Sequence, residues 1–217
     1  MNRIRRNILR AAEFIVLFFG VPLFLFFEDD IIHPSYILPF ILIALFFYFR
    51  KQKGFRWRDL IRLDISREMW QKQGLIVLLS AVFLLAFVWV FEPKQLLNLP
   101  RGNPAIWLAM LVYYPVFSAY GQEIVYRKFL FMRYRTLFKK RWALILASAI
   151  TFSFVHIVYF SWLSIVFTLI AGIYFAWLYH KTKSVLFIGV IHGIIGFLVF
   201  TVGLGQHFWL DMMQHLK

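Results

Sequence analysis

The chain has 217 residues, of which 62% are hydrophobic and only 16% charged, and a formal net charge of +14. A soluble domain is about 45–50% apolar and about a quarter charged, so this composition excludes an ordinary water-soluble fold, which would expose large aggregating patches. The charge does not point to nucleic acid, because the basic residues fall in short clusters between apolar runs, as in loops facing anionic lipid. With no cysteine in the sequence, disulfides and thiolate metal sites are excluded as well.

A helix needs about 20 apolar residues to cross a bilayer, and the chain offers seven such runs: 11–27, 31–49, 74–91, 105–126, 142–160, 162–179 and 184–205. The first follows Arg3, Arg5, Arg6 and Arg10 and is followed by Glu28-Asp29-Asp30, not by a small-residue cleavage site. It therefore reads as a membrane anchor and not a signal peptide. The 50–72 loop carries Trp57, Leu60, Ile61 and Leu63 among eight Lys and Arg residues, a pattern suited to an amphipathic helix on the membrane surface. The tail from Gln206 is too polar to span. Trp70, Trp107, Trp142 and Trp162 stand at span ends, where interfacial indoles belong.

Counting alternate loops from a cytosolic N-terminus puts 21 of the Lys and Arg residues on one side, leaving Lys94, Arg101 and Lys217 on the other with the Glu28–Asp30 acids. The bias predicts a multi-pass protein with its N-terminus in the cytosol. The expected fold is all-α: one domain over 1–217, a polytopic transmembrane bundle of about seven spans enclosing a polar intramembrane cavity. Membrane lipid is the expected surrounding, and a bacterial inner membrane suits the compact size.

Ionisable groups at membrane depth are expensive and mark function. Between Pro93 and Leu210 the one acidic residue is Glu123; Arg127 follows it by four positions, and His156 and His192 lie in apolar runs. If the Glu123 helix runs on through Phe129–Met132 and turns near Lys139-Lys140, then Glu123 and His156 come to matched depth on antiparallel helices. His192 comes within two turns of them. One acid and two imidazoles converge on this reading. A plainer account is also open: Glu123 and Arg127 neutralise one another as an i, i+4 pair, and each histidine is an interhelical hydrogen-bond donor. Two His and one Glu could also hold a single zinc ion with an open position, although no closely spaced His pair is present on one helix. Buried Glu and His would equally serve a proton-coupled carrier, but no inverted repeat is visible.

The same residues carry a family pattern. Gly121-Gln122-Glu123-Ile124-Val125-Tyr126-Arg127 resembles the Glu-Glu-x-x-x-Arg motif of the CPBP family, the CAAX-prenyl-protease-like and bacteriocin-processing intramembrane proteases, also called the Abi family. Phe152 to His156 resembles its Phe-x-x-x-His motif, and His192 to Gly196 its His-x-x-x-Asn/Asp motif. The resemblance implies a helical core over about 105–205 and an endopeptidase of glutamic or metallo type acting on a membrane-embedded or lipidated peptide. It implies that the first Glu and the second-motif His activate water, while the third motif holds the oxyanion. The expected site is thus Gln122, Glu123, Arg127, His156 and His192, with no cofactor or one zinc held by Glu123, His156 and His192. Two positions depart from the pattern. Gln122 stands for the first Glu and cannot take a proton, and Gly196 stands for Asn or Asp. Gly196 also continues the small-residue face of Gly189 and Gly193, a packing role in its own right. These departures raise an alternative: a catalytically impaired scaffold or bacteriocin immunity factor with the protease fold.

Overall fold

The computed structural model describes residues 3–27 and 34–209, and every regular element among them is helical. The Glu28–Asp30 acids, His33, His215 and Lys217 lie outside the described residues. Helix α1 (Arg3–Ile15) passes through a π-helical stretch, Val16–Gly20, into α2 (Val21–Phe27). Helix α3 (Pro34–Arg50) leads to the basic loop, and α4 (Arg67–Phe91) to a short α5 (Asn98–Gly102). A continuous helical run then joins α6 (Pro104–Tyr113), α7 (Tyr120–Glu123) and α8 (Leu130–Tyr134) through two further π-helical stretches, Tyr114–Ala119 and Ile124–Phe129. Helices α9 (Arg141–Phe154), α10 (Trp162–Thr182) and α11 (Val185–Val202) complete the bundle.

Local chemistry sets these boundaries. Ser66, Asn103 and Ser184 each accept a hydrogen bond from the backbone N–H three residues on, at 3.3, 3.3 and 3.1 Å, satisfying first-turn donors that the helix cannot. Pro104 follows its cap at the position where a missing N–H does no harm. Pro115 has no such excuse: deep in a helix it removes an i to i−4 bond, and the backbone widens into π geometry there instead of breaking. Helix α11 ends at Gly203, whose φ of +117° suits glycine, and whose missing side chain would otherwise strike the backbone of Gln95.

Among the described residues, five helical segments are long and apolar enough to cross a membrane: Ile4–Phe27, Arg67–Phe91, Arg141–Tyr159, Trp162–Thr182 and Val185–Val202. The other two of the seven expected spans do not meet that length as single helices. Helix α3 supplies a shorter apolar helix, Ile37–Arg50, and the 104–134 run is divided by its π-helical stretches. Helix α11 is the most enclosed of the five, whereas α4 turns Leu75, Leu78, Leu79, Val82 and Phe83 outward, as expected of a lipid-facing wall.

The 50–72 loop departs from expectation. It holds one 3-10 turn, Trp57–Asp59, and no amphipathic helix. Side chains of the bundle satisfy its backbone instead: Tyr120 donates to the Leu60 carbonyl at 3.0 Å and Ser184 to that of Arg62 at 2.5 Å. Phe55 stacks on Phe49 at 4.5 Å, which draws the loop against the bundle. The four indoles also divide. Trp142 and Trp162 are exposed at helix starts, but Trp70 packs on Phe187 and Trp107 donates to Thr201 at 2.9 Å.

The expected turn near Lys139-Lys140 is present, between α8 and α9. Beside it, Arg133 grips Glu13 of α1 with two nitrogens at 2.9 and 2.5 Å, and the Tyr134 hydroxyl donates to the same carboxylate at 2.8 Å. A fork of this kind is among the stronger polar contacts, yet both side chains are about 30% exposed, which weakens it. In a double-mutant cycle with Glu13→Gln and Arg133→Met, we expect a coupling of about 1 kcal/mol in detergent-solubilised protein. Strict additivity of the two substitutions would show that the first helix is held by apolar packing alone.

Candidate active site

Helix α11 carries His192 into the centre of the bundle because its glycines let neighbours come close. A Cβ on Gly193 would lie 2.7 Å from Pro115, and one on Gly189 2.8 Å from the Tyr120 ring. The 104–134 run is thus pressed directly against α11, which sets Glu123 opposite His192. The His192 Nδ1 lies 2.9 Å from Glu123 Oε1. The other carboxylate oxygen is 2.9 Å from Arg127 Nε. Glu123 and Arg127 are both fully buried.

Arg127 is held in turn by its surroundings. Its Nη1 donates to Ser148 on α9 at 2.8 Å, Ser148 donates to the Tyr126 carbonyl at 2.7 Å, and the guanidinium lies over the Phe152 ring at 5.0 Å. The contact with Glu123 rests mainly on charge: neither Arg127 Nε nor Glu123 Oε2 is aligned for a hydrogen bond. The expected i, i+4 pair therefore exists, and Glu123 bonds His192 as well.

His156 sits not in the body of α9 but on the 3-10 turn, Val155–Tyr159, that closes it. Its Nδ1 is 2.7 Å from the Phe152 carbonyl. Ser164 donates to the His156 carbonyl at 3.3 Å and Ser153 to that of Ile165 at 2.7 Å, fastening the turn to α10. Phe152 touches both imidazoles, at ring-centre distances of 5.0 and 5.5 Å. Carbonyl and carboxylate oxygens only accept, so each neutral histidine carries its proton on Nδ1 and has an acceptor at Nε2.

Both histidines line a cavity of about 380 Å³ between α4, α10 and α11. Its walls are mainly apolar, including Ile76, Leu84, Phe167 and Val199; polarity is confined to the two imidazoles and a few hydroxyls. Gln122 lies elsewhere. It lines a second cavity, of about 100 Å³, with Ser118, Tyr159 and His156, so His156 borders both. The Gln122 Nε2 donates to Ser118 at 3.0 Å, while its Oε1 is buried without a partner.

The donors do not fit a zinc ion held by Glu123, His156 and His192. Glu123 engages His192 with one oxygen and faces the Arg127 guanidinium with the other. Among the described residues no three His, Asp or Glu side chains converge on a metal position.

Sequence reasoning missed Tyr114 and Ser148. Tyr114 lines the larger cavity with its hydroxyl 3.3 Å from His192 Nε2. A phenol within an apolar span was the available signal, since a buried tyrosine hydroxyl usually finds a partner. His207, in the polar tail after α11, is half-buried between Glu92 and Ser161, at 2.9 Å from each. Neighbouring Phe208 reaches the larger cavity.

Removing one member of a buried ion pair strands the other and costs about 3–5 kcal/mol. Arg127→Ala is expected to lose that much in an unfolding titration, with Arg127→Lys rescuing little because it lacks the fork. Glu123→Gln combined with Arg127→Met should cost less than Arg127→Ala alone, since no charge is left unpaired.

No curated protein and no solved structure matches the chain. Residues 104–198 match the family model described as "Rce1-like: Type II CAAX prenyl endopeptidase Rce1-like". That stretch contains Gln122, Glu123, Arg127, His156 and His192 together with Tyr114 and Ser148. Residues 104–198, which hold the buried carboxylate and both cavity histidines, are thus similar to the Rce1-like type II CAAX prenyl endopeptidases, in keeping with the CPBP resemblance of the motifs.

Proposed function

We propose that this multi-pass membrane protein is an intramembrane endopeptidase of the CAAX-protease type that hydrolyses a membrane-embedded or lipidated peptide with water. The observation that carries the reading is the pair of imidazoles, His156 and His192, presented to one largely apolar cavity with Glu123 buried behind His192. An apolar cavity admits a lipid-like chain, and its few polar groups are placed for chemistry at one end.

His156 is the general base in this reading. Its Nδ1 is fixed by the Phe152 carbonyl, leaving Nε2 to take a proton from water. The oxygen then adds to the peptide carbonyl carbon, and the carbonyl oxygen becomes an oxyanion. When the C–N bond breaks, His156 returns the proton to the leaving amine, so peptide and water become acid and amine. Glu123 orients His192 by accepting from Nδ1. Gln122 can hydrogen-bond the water but not deprotonate it.

Gln122 and Gly196 also favour a second reading, in which the protease fold persists as a binding scaffold without turnover. Terminal-peptide proteomics of host membranes separates the two. With His156→Ala, we expect uncleaved precursors to accumulate relative to wild type, which would also name the substrates. New termini seen only with Gln122→Glu would identify a protease fold with its chemistry switched off. No difference in either variant would leave the scaffold reading.

The basic loops place the N-terminus and the 50–72 loop in the cytosol in this proposal. The lack of native cysteine makes the test clean. A Lys94→Cys variant should react with a membrane-impermeant maleimide on intact cells, and Lys53→Cys only after lysis. The reverse pattern would invert the topology.

A further inference from the structure

An oxyanion needs a hydrogen-bond donor, and an imidazole whose one ring proton lies on Nδ1 offers none from Nε2. His192 directs its Nδ1 proton to Glu123 and His156 its own to the Phe152 carbonyl. Three of the cavity's hydroxyls are also engaged away from it: Ser80 with the Ile76 carbonyl at 2.8 Å, Thr168 with the Ser164 carbonyl at 2.5 Å, and Tyr174 with Gln73. Tyr114 differs from them, because its hydroxyl is directed to the imidazole itself, 3.3 Å from His192 Nε2.

Its position depends on Gly196. A Cβ built on Gly196 would fall on the Tyr114 ring, with Cε1, Cζ and the hydroxyl oxygen as its nearest atoms. The phenol thus occupies the volume into which any side chain at 196 would project. Phe200 braces the ring at 5.2 Å, and the π-helical stretch at Pro115 holds the backbone that carries it.

We propose that Tyr114 is the oxyanion donor of this site and that Gly196 is the cradle that admits it. The donor missing from position 196 of α11 is supplied from the facing helix. In the resting site the hydroxyl donates to His192 Nε2; as substrate binds, it turns to the carbonyl oxygen beside it. This inference rests on the protease reading, and positions 114 and 196 become a coupled pair.

The test uses Tyr114→Phe, which keeps the ring, and the full chain in two measurements. In detergent micelles with ¹⁵N-labelled histidine, Tyr114→Phe should shift the His192 Nε2 resonance, leave that of His156 in place and keep the melting temperature. In host membranes it should reduce the His156-dependent peptide termini about 10²-fold, the usual loss for one oxyanion donor. Gly196→Asn alone should lower the melting temperature by colliding with the ring. Tyr114→Ala with Gly196→Asn should restore both stability and part of the cleavage. Wild-type cleavage in Tyr114→Phe, with His156→Ala inactive, would overturn the proposal and leave the protease reading standing. The absence of any His156-dependent termini in wild type would overturn both.

Discussion

The carboxylate of Glu123, fully buried at membrane depth, is the group around which the site is assembled. A lone charge there would be prohibitive, so the structure surrounds it with Arg127 on its own helix and His192 on the facing one. Each partner then needs its own support. Arg127 draws in Ser148 and the Phe152 face, and His192 draws in the Tyr114 hydroxyl. Three helical runs, 104–134, α9 and α11, are thereby tied to a single charge. A buried pair of this kind is weak evidence for net stability, because desolvation offsets much of the attraction; its effect is to specify one arrangement of these helices.

That arrangement requires close backbones. Gly189 and Gly193 let the 104–134 run lie directly against α11, and without that approach the 2.9 Å contact between Glu123 and His192 would not form. Gly196 serves the same packing surface, but while the atoms nearest Gly189 and Gly193 include the backbone of the facing run, all those nearest Gly196 belong to the Tyr114 phenol. One stripe of small residues therefore does two jobs, joining helices along most of its length and making room for a hydroxyl at its end.

The site separates its two adjacent motif residues by the ordinary geometry of a helix. Neighbouring positions point about 100° apart, so Glu123 faces α11 and the larger cavity's wall, while Gln122 faces Ser118 and the smaller one. Glu123 cannot stand in for a carboxylate at 122 without rotating the helix and breaking its own pairs. Among the described residues His156 alone borders both spaces, which is why the proposed chemistry centres on it.

Composition and periodicity by themselves determined that the chain is a helical membrane protein, because so many apolar residues have no other solvent. The scarcity of ionisable residues at depth likewise singled out Glu123, Arg127, His156 and His192, since each such group needs a reason to be there. Three other features were decided only by tertiary structure. The π-helical stretches that interrupt the 104–134 run depend on how neighbouring helices hold the widened turns, and sequence spacing assumes regular helix. The loop from 50 to 72 was legible as amphipathic, yet hydroxyls of Tyr120 and Ser184 that donate to its carbonyls hold it against the bundle without a helix. Tyr114 and Gly196 are 82 positions apart, and no local pattern links a missing side chain on one helix to a ring on another. Only the packed interior, where two groups cannot occupy one volume, makes the glycine and the tyrosine a single feature.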